Sequence, residues 1–167
     1  MRRMTSTLLL LALLLLNANV FTQVANKKLT GQSFTGEVMI NAAPQAVWGV
    51  LTDAQKLANV TGFEYNGPVK KLEKMGDNVP MKGFGDTGSL IVVYAKSGAE
   101  LRYAWEPDNA SYLCQGRWTL TAAGKGSKVT YVDRYTESGP QTADDIAAQI
   151  KSYNEALARL KAKCESK

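Results

Sequence analysis

The stretch GEVMINAAPQAVWGVLTDAQKLANV, from Gly36 to Val60, decides the fold of this chain. Its first five residues complete a segment, Ser33 to Ile40, in which apolar and polar side chains alternate as in a half-buried strand. Pro44 then suits the first turn of a helix, and Asp53 can cap a second helix. Three residues give the first helix an apolar face: Val47, Trp48 and Leu51. The stretch therefore predicts one strand followed directly by two short helices.

After this stretch come short segments, most of them with alternating apolar and polar residues, and turns that contain glycine or proline separate them. The predicted strands are Tyr65–Leu72, Leu90–Ala95, Ala99–Glu106, Tyr112–Thr121 and Lys128–Glu137. Each has one apolar face, which is typical of an antiparallel sheet covered on one side. The segment Gly83–Gly88 has the glycines of a phosphate-binding loop, but it precedes a strand and lacks Gly-Lys-Ser/Thr. We interpret it as a flexible loop at the rim of an interior cavity.

The last predicted element is a long amphipathic helix. Gly139 and Pro140 break the preceding strand, Thr142 can cap the helix, and Asp144 and Asp145 complement the dipole at its start. An apolar stripe with spacings of three and four residues follows: Ile146, Ile150, Tyr153, Leu157, Leu160 and Cys164. The pattern predicts a helix that ends at about Cys164 and packs one face on the sheet.

The amino-acid composition excludes several kinds of catalytic and metal site. The 167 residues include no histidine, which excludes histidine-dependent nucleophiles, imidazole zinc sites and ordinary histidine acid–base catalysis. The two cysteines cannot form a four-thiolate metal site. The net charge is +5, but the lysines are scattered among acids, so no nucleic-acid partner is predicted. No metal and no cofactor are expected.

The first residues have the pattern of a secretory signal peptide. Arg2 and Arg3 precede an apolar run from Leu8 to Leu16, after which polar residues return. The nine residues of this run would span about 14 Å as a helix, whereas a bilayer core is about 30 Å thick. We therefore expect residues 1–25 to be a cleaved signal peptide. The remaining protein is expected to be secreted or periplasmic, without a membrane span.

The order of strand, two short helices, meander and long helix resembles the helix-grip, or START-like (SRPBCC), superfamily. Within it, the resemblance is to the polyketide cyclase/dehydrase and lipid-transport group. Two stretches carry it: Gly36–Val60, and GRWTLTAAGKGSKVTYVDRY from Gly116 to Tyr135. The resemblance implies an α+β fold in residues 30–167, with a curved antiparallel sheet wrapped on the last helix. Two strands are predicted between Ala99 and Thr121 where many members have three, so the sheet has six or seven strands.

In this superfamily the sheet and the helix enclose an apolar cavity, and the pattern of the residues agrees because each surface can cover the other. Strand and helix periodicity points these residues toward the interior: Tyr103, Trp105, Gly116, Trp118, Tyr131, Asp133, Tyr135 and Tyr153. Buried tyrosine hydroxyls need partners, which a wet or ligand-filled cavity supplies better than an aliphatic core. We predict that these residues contact a ligand.

The expected function is to hold a small hydrophobic ligand, such as a lipid, a sterol or a polyketide-like molecule, without reacting with it. An alternative is a cyclase or dehydratase in which Asp133 and tyrosine hydroxyls act as acids and bases, since burial would raise the pKa of an inward carboxyl. A second alternative is an interaction or stress module whose aromatic residues form a closed core. The sequence shows no cluster of nucleophile, acid and base, which favours binding.

The two cysteines are predicted to form a disulfide. Cys114 lies on the inward side of its strand, and Cys164 lies on the sheet-facing stripe of the last helix. Both therefore face the same interface, in a chain that is expected to enter an oxidising compartment. Two free thiols are the alternative, because the direction of the helix can place them apart.

Overall fold

A computed structural model describes residues 33–136 and 142–166 of the chain. Its elements, in order, are β1 (Ser33–Ile40), α1 (Pro44–Leu51), α2 (Ala54–Thr61), β2 (Asn78–Gly83), β3 (Asp86–Lys96), β4 (Glu100–Pro107), β5 (Cys114–Ala123), β6 (Gly126–Tyr135) and α3 (Ala143–Glu165). The predicted signal peptide and the predicted break at Gly139 and Pro140 lie outside the described residues. Over the described ranges, no helix is long and apolar enough to cross a bilayer.

The strands form one sheet in the order β1-β6-β5-β4-β3-β2, and each neighbouring pair is antiparallel. β1 lies beside β6 along its whole length, from Ser33 opposite Arg134 to Ile40 opposite Ser127. The described part of the chain has six strands, of which two lie between Ala99 and Thr121. The predicted α+β fold is confirmed, with the lower of the two expected strand numbers.

Helix α3 packs on the sheet and contacts β1, α1 and α2. Its buried residues are Tyr153, Ala156, Leu157 and Leu160. Leu157 lies over Gly36, where a Cβ would be 2.7 Å from the Leu157 side chain, so the glycine lets the helix approach β1 closely. The predicted stripe begins too early, because Ile146 is half-buried and Ile150 is 46% exposed. The helix therefore joins the core only from Tyr153 onward.

The two short helices have the predicted start and cap. Pro44 is the first residue of α1, and the Lys56 N–H donates to Asp53 Oδ1 at 3.2 Å at the start of α2. Gly62 ends α2 with a φ of +83°, a left-handed conformation that glycine adopts without strain. Arg159 Nε donates to the Val60 carbonyl at 2.9 Å. This bond fixes the end of α2 against α3.

The predicted strand Tyr65–Leu72 is wrong. The segment is a loop, in which the Tyr65 hydroxyl donates to the Pro68 carbonyl at 2.8 Å. Pro68 has no N–H to give to a strand ladder, and with the preceding glycine it turns the chain. The strand lies further along, at β2, which is an edge of the sheet. An edge strand tolerates Pro80, because a proline on the solvent side of the strand does not remove a hydrogen bond from the ladder.

The predicted disulfide between Cys114 and Cys164 is also wrong, since both residues are free thiols. Cys114 lies opposite Tyr135, at the end of the sheet where β1 begins. Cys164 lies near the other end of β1, where the Asn41 N–H donates to Glu165 Oε1 at 2.7 Å. The eight residues of β1 separate these ends by about 23 Å, whereas a disulfide needs Cα atoms within about 7 Å. The direction of the helix, which periodicity does not show, keeps the thiols apart.

Thr142 caps α3, as the sequence predicts, and Asp145 completes a capping box with it. The Asp145 N–H donates to Thr142 Oγ1 at 3.2 Å, and the Thr142 N–H donates to Asp145 Oδ2 at 2.9 Å. We expect Thr142→Ala to lower the free energy of unfolding by about 1 kcal/mol in urea denaturation, because it leaves a helix N–H without its acceptor. Thr142→Ser keeps the hydroxyl and should stay close to wild type. Equal losses in the two variants would contradict a role for the hydroxyl.

Candidate functional site

A hydrogen-bonded chain of three side chains lies inside the protein, between the sheet and α3. The Tyr131 hydroxyl donates to Asp133 Oδ2 at 3.2 Å, and the Tyr103 hydroxyl lies 3.0 Å from the Tyr131 hydroxyl. A phenol has one proton, so Tyr131 gives its own to Asp133 and accepts the proton of Tyr103. Each of the three residues is 3% exposed. They come from β4 and β6, with β5 between them, so the sheet itself sets their spacing.

Aromatic rings form the wall around this chain. Trp118 stacks on Tyr131 with ring centroids 3.8 Å apart and ring planes 6° from parallel. Tyr153 of α3 meets Tyr131 edge-on at 6.0 Å and stacks on Phe34 at 4.7 Å. These contacts join the helix to the sheet at the polar chain. The site is therefore a small polar cluster enclosed by aromatic surface.

Asp133 is the titratable centre of the cluster. Burial raises its pKa to about 7, while the nearby hydroxyls of Tyr153 and Tyr131 and the Arg134 N–H act in the opposite direction. Among the described residues, Asp133 Oδ1 has no hydrogen-bond partner. Burial, and then the charge of Asp133, raises the pKa values of Tyr103, Tyr131 and Tyr153, so these tyrosines stay neutral donors. The carboxyl can thus gain or lose a proton near neutral pH, and one of its oxygens is free to accept.

A cavity of about 10 Å³ lies against the cluster. It is lined by Thr61, Phe63, Phe84, Tyr103, Trp105, Cys114, Tyr131, Asp133, Ser152, Tyr153 and Ala156. A cavity of this size holds one water molecule, and small-molecule pockets are commonly about 300–1,000 Å³. The interior is therefore closed in this conformation.

The residues predicted to contact a ligand occupy four kinds of position. Five of them line the cavity: Tyr103, Trp105, Tyr131, Asp133 and Tyr153. Trp118 lies behind Tyr131, and Tyr135 lines a groove beside the start of β1. Gly116 lies beneath Tyr103, whose hydroxyl oxygen would be 2.6 Å from a Cβ at that position. Gly116 therefore provides room for the Tyr103 ring instead of forming a cavity wall.

The mouth of the cavity contains two phenylalanines, Phe63 and Phe84, that the sequence pattern does not identify. Phe84, in the turn between β2 and β3, is 54% exposed and packs edge-on against Phe63 at 5.3 Å. Phe63 in turn packs against Trp105 at 4.8 Å. Phe84 has a φ of +55°, a strained conformation for a residue with a Cβ. The segment predicted as a rim loop is thus a tight turn that places an aromatic ring at the rim.

Small residues of the helices complete the lining. Ser152 and Ala156 face the cavity from α3, and Thr61 faces it from the end of α2. The apolar periodicity of a helix identifies large residues but not small ones such as Ser152 and Ala156. Their spacing of four residues does place them on the same face of the helix. Phe63 follows the glycine that ends α2, where no periodic pattern applies. A search for helical faces alone therefore misses this part of the site.

An antiparallel sheet closed by a C-terminal helix, with two short helices after the first strand, defines a helix-grip protein, and its site lies between sheet and helix. The chain belongs to the family of polyketide cyclases/dehydrases and lipid transport proteins, whose sequence profile matches residues 31–165. The resemblance to the START-like superfamily is thereby confirmed. A search of the curated proteins found no match.

Solved structures share the fold at low sequence identity. CV1439 of Chromobacterium violaceum is 17% identical with a TM-score of 0.61, over 81% of this chain and 98% of that one. The Aha1 dimer of Colwellia psychrerythraea is 13% identical with a TM-score of 0.60, over 80% of this chain and 96% of that one. DynU16, a protein in the dynemicin biosynthetic locus, is 20% identical with a TM-score of 0.58, over 80% of this chain and 47% of that one. These similarities concern the fold.

Proposed function

We propose that this protein binds a small, largely apolar ligand at the cluster of Tyr103, Tyr131 and Asp133, without reacting with it. One observation carries the proposal: Asp133 Oδ1 is buried at the cavity and has no partner among the described residues. A buried polar atom without a partner costs about 1–3 kcal/mol, and a ligand hydroxyl would supply the missing donor. The aromatic wall would contact the apolar part of a lipid, a sterol or a polyketide-like molecule.

Entry of a ligand requires the cavity to widen, and two elements at its border have few buried contacts. Helix α3 has no buried residue before Tyr153 in its described part. Phe84 lies in a strained turn and is more than half exposed. Segments with little buried apolar surface open at a low free-energy cost. We infer that the Phe84 turn and the first turns of α3 separate to admit the ligand.

Binding of the neutral fluorescent probe N-phenyl-1-naphthylamine tests this proposal. We expect saturable binding with energy transfer from Trp105 and Trp118, because both indoles lie at the cluster. Ser152→Phe adds a ring at the cavity border and should weaken binding at least about tenfold, which corresponds to 1.4 kcal/mol. Asn154→Phe adds the same ring on the exposed side of α3 and should leave the affinity unchanged.

The control variant separates cavity binding from adhesion of the probe to any exposed ring. Absence of saturable binding by the wild-type protein would contradict the proposal, as would equal affinities of the Ser152→Phe and Asn154→Phe variants. Either result would favour the closed-core interaction module instead. Both variants must first show the far-ultraviolet circular dichroism of the wild type.

A cyclase or dehydratase is a second candidate, favoured by the pKa of about 7 at Asp133. A carboxylate with a free oxygen can remove a proton from carbon beside a carbonyl, and a tyrosine hydroxyl can stabilise the enolate oxygen. Deuterium exchange of 2-tetralone, followed by NMR, tests this chemistry. An enzyme should accelerate the exchange, and Asp133→Asn should slow it 10²–10⁴-fold by order of magnitude. A binding protein should leave the exchange at its background rate.

Export of the protein is proposed from the same pattern that predicts the signal peptide: Arg2, Arg3 and the run from Leu8 to Leu16. Intact-mass measurement of the protein from its own host should show an N-terminus close to residue 26. Retention of residues 1–25 in the mature protein would contradict export by cleavage.

A further inference from the structure

Three arginines lie on the outer face of the sheet, directly behind the interior cluster. Arg102, Arg117 and Arg134 each follow an inward residue in the chain, and side chains alternate between the two faces of a strand. They border a depression of about 160 Å³. Arg102 and Arg117 are directly opposite each other on β4 and β5, and Arg134 of β6 is opposite Gln115. Like charges directly opposite each other destabilise a sheet, so this arrangement favours an anion between them.

One of the three guanidinium groups is held in place by its neighbours. Glu100 Oε1 lies 2.6 Å from Arg102 Nε, and the Arg102 guanidinium lies 4.9 Å from the centre of the Tyr94 ring. Arg117 and Arg134 are exposed, and neither forms an ion pair with any residue that the structure describes. The depression therefore combines one arginine whose side chain is oriented by its neighbours with two arginines that are not paired with any carboxylate among the described residues.

We propose that this depression binds a phosphate group. Guanidinium groups donate in a fork that matches phosphate oxygens, and a tetrahedral dianion can meet several of them at once. Gln115 borders the same depression and adds an amide donor. The group is carried either by a small phosphorylated molecule or by a phospholipid headgroup. The site lies on the opposite face of the sheet from the cavity, so it does not depend on the function proposed for the interior.

Two probes test the site and distinguish the sources. The first is inorganic phosphate, which should raise the melting temperature at a constant ionic strength maintained with chloride. The second is a set of vesicles of phosphatidylcholine with and without phosphatidic acid, which carries a phosphate monoester. The variants are Arg117→Gln combined with Arg134→Gln, and, as control, Lys125→Gln, which removes one positive charge in the turn between β5 and β6.

The expected result is that the double variant binds phosphate, phosphatidic acid vesicles or both at least about tenfold more weakly than wild type, since charge-assisted bonds are lost. The Lys125→Gln variant should bind as the wild type does. In phosphate-free buffer of low salt, the melting temperature of the double variant should equal or exceed that of wild type, because a repulsive pair is removed. If the protein binds phosphate but not the vesicles, the natural ligand is a small phosphorylated molecule. If it binds the vesicles and inorganic phosphate competes with this binding, the natural ligand is a phospholipid headgroup.

The proposal is overturned if the wild-type protein binds neither probe, or if the double variant binds as tightly as the Lys125→Gln variant. It is also overturned if chloride at the same ionic strength stabilises the protein as much as phosphate does. The wild type, the double variant and the Lys125→Gln variant should bind N-phenyl-1-naphthylamine in the interior with equal affinity. A result that contradicts the phosphate site therefore leaves the interior site untouched, and the reverse also holds.

Discussion

Asp133→Asn should make the protein more stable than the wild type at pH 8 and leave it about equal at pH 4. The pKa of Asp133 is raised to about 7 in the folded protein by burial, from an ordinary value of 3.8 in the unfolded chain. Between these two values the folded state binds more protons than the unfolded state, so stability falls as the pH rises. The loss is complete above the folded pKa, and its full size is about 4 kcal/mol. Asparagine resembles the protonated carboxyl and removes this loss.

Urea denaturation of both proteins at several pH values between 4 and 8 measures the effect. The quantity of interest is the difference in free energy of unfolding between variant and wild type, since the other carboxyls titrate in both. Asp144→Asn, which makes the same chemical change in the exposed first turn of α3, is the control and should not be more stable than wild type at pH 8, because the Asp144 charge complements the helix dipole. A difference that does not change with pH for Asp133→Asn would mean that the cluster does not hold its carboxyl in a low-dielectric site.

Trp118→Ala should lower the free energy of unfolding by about 4 kcal/mol, within the 3–5 kcal/mol typical of a buried Trp truncated to Ala. Trp118 is 0% exposed, and its ring stacks on Tyr131 at 3.8 Å. The truncation leaves a large cavity and also releases Tyr131, the residue that joins Tyr103 to Asp133. Far-ultraviolet circular dichroism is the appropriate signal for this unfolding curve, because the variant loses a fluorophore.

Trp118→Phe is the matched variant for this prediction. It keeps an aromatic ring against Tyr131 and removes an indole N–H that has no partner among the described residues. We expect it to cost about 1–2 kcal/mol, since the volume lost is smaller and no satisfied hydrogen bond is broken. Similar costs for the Ala and Phe variants would show that stacking on Tyr131 contributes little.

The order of the elements could be predicted from local patterns. The alternation in Ser33–Ile40, the proline at the start of α1 and the cap at Asp53 each depend on a few neighbouring residues, and all three are present in the structure. The predicted strand Tyr65–Leu72 is wrong because Gly67 and Pro68 turn the chain and Pro68 has no N–H for a strand ladder. The strand that exists, β2, is short and lies at an edge, where one polar face and a proline weaken its pattern.

Only some of the residues that form the site could be predicted from the sequence. Alternation placed Tyr103, Tyr131 and Asp133 on one inner face, because a strand allows only two directions for its side chains. Phe63 and Phe84 reach the same cavity from a loop and a turn, whose backbone directions follow no period. Cys114 and Cys164 share an interface, but the distance between them depends on which way the helix runs over the sheet.

The sequence by itself determined the order of most elements, the inward side of β1, β4, β5 and β6, and the presence of polar groups in the interior, because these depend on local spacing and on residue type. The tertiary structure decided how much space remains inside. The Tyr103 ring lies over Gly116, Trp118 stacks on Tyr131, and a cavity of about 10 Å³ remains beside Asp133. A cavity volume is the small difference between the space that the backbone encloses and the volume of the side chains that fill it. That difference depends on rotamers and on the position of the helix, which no local pattern specifies.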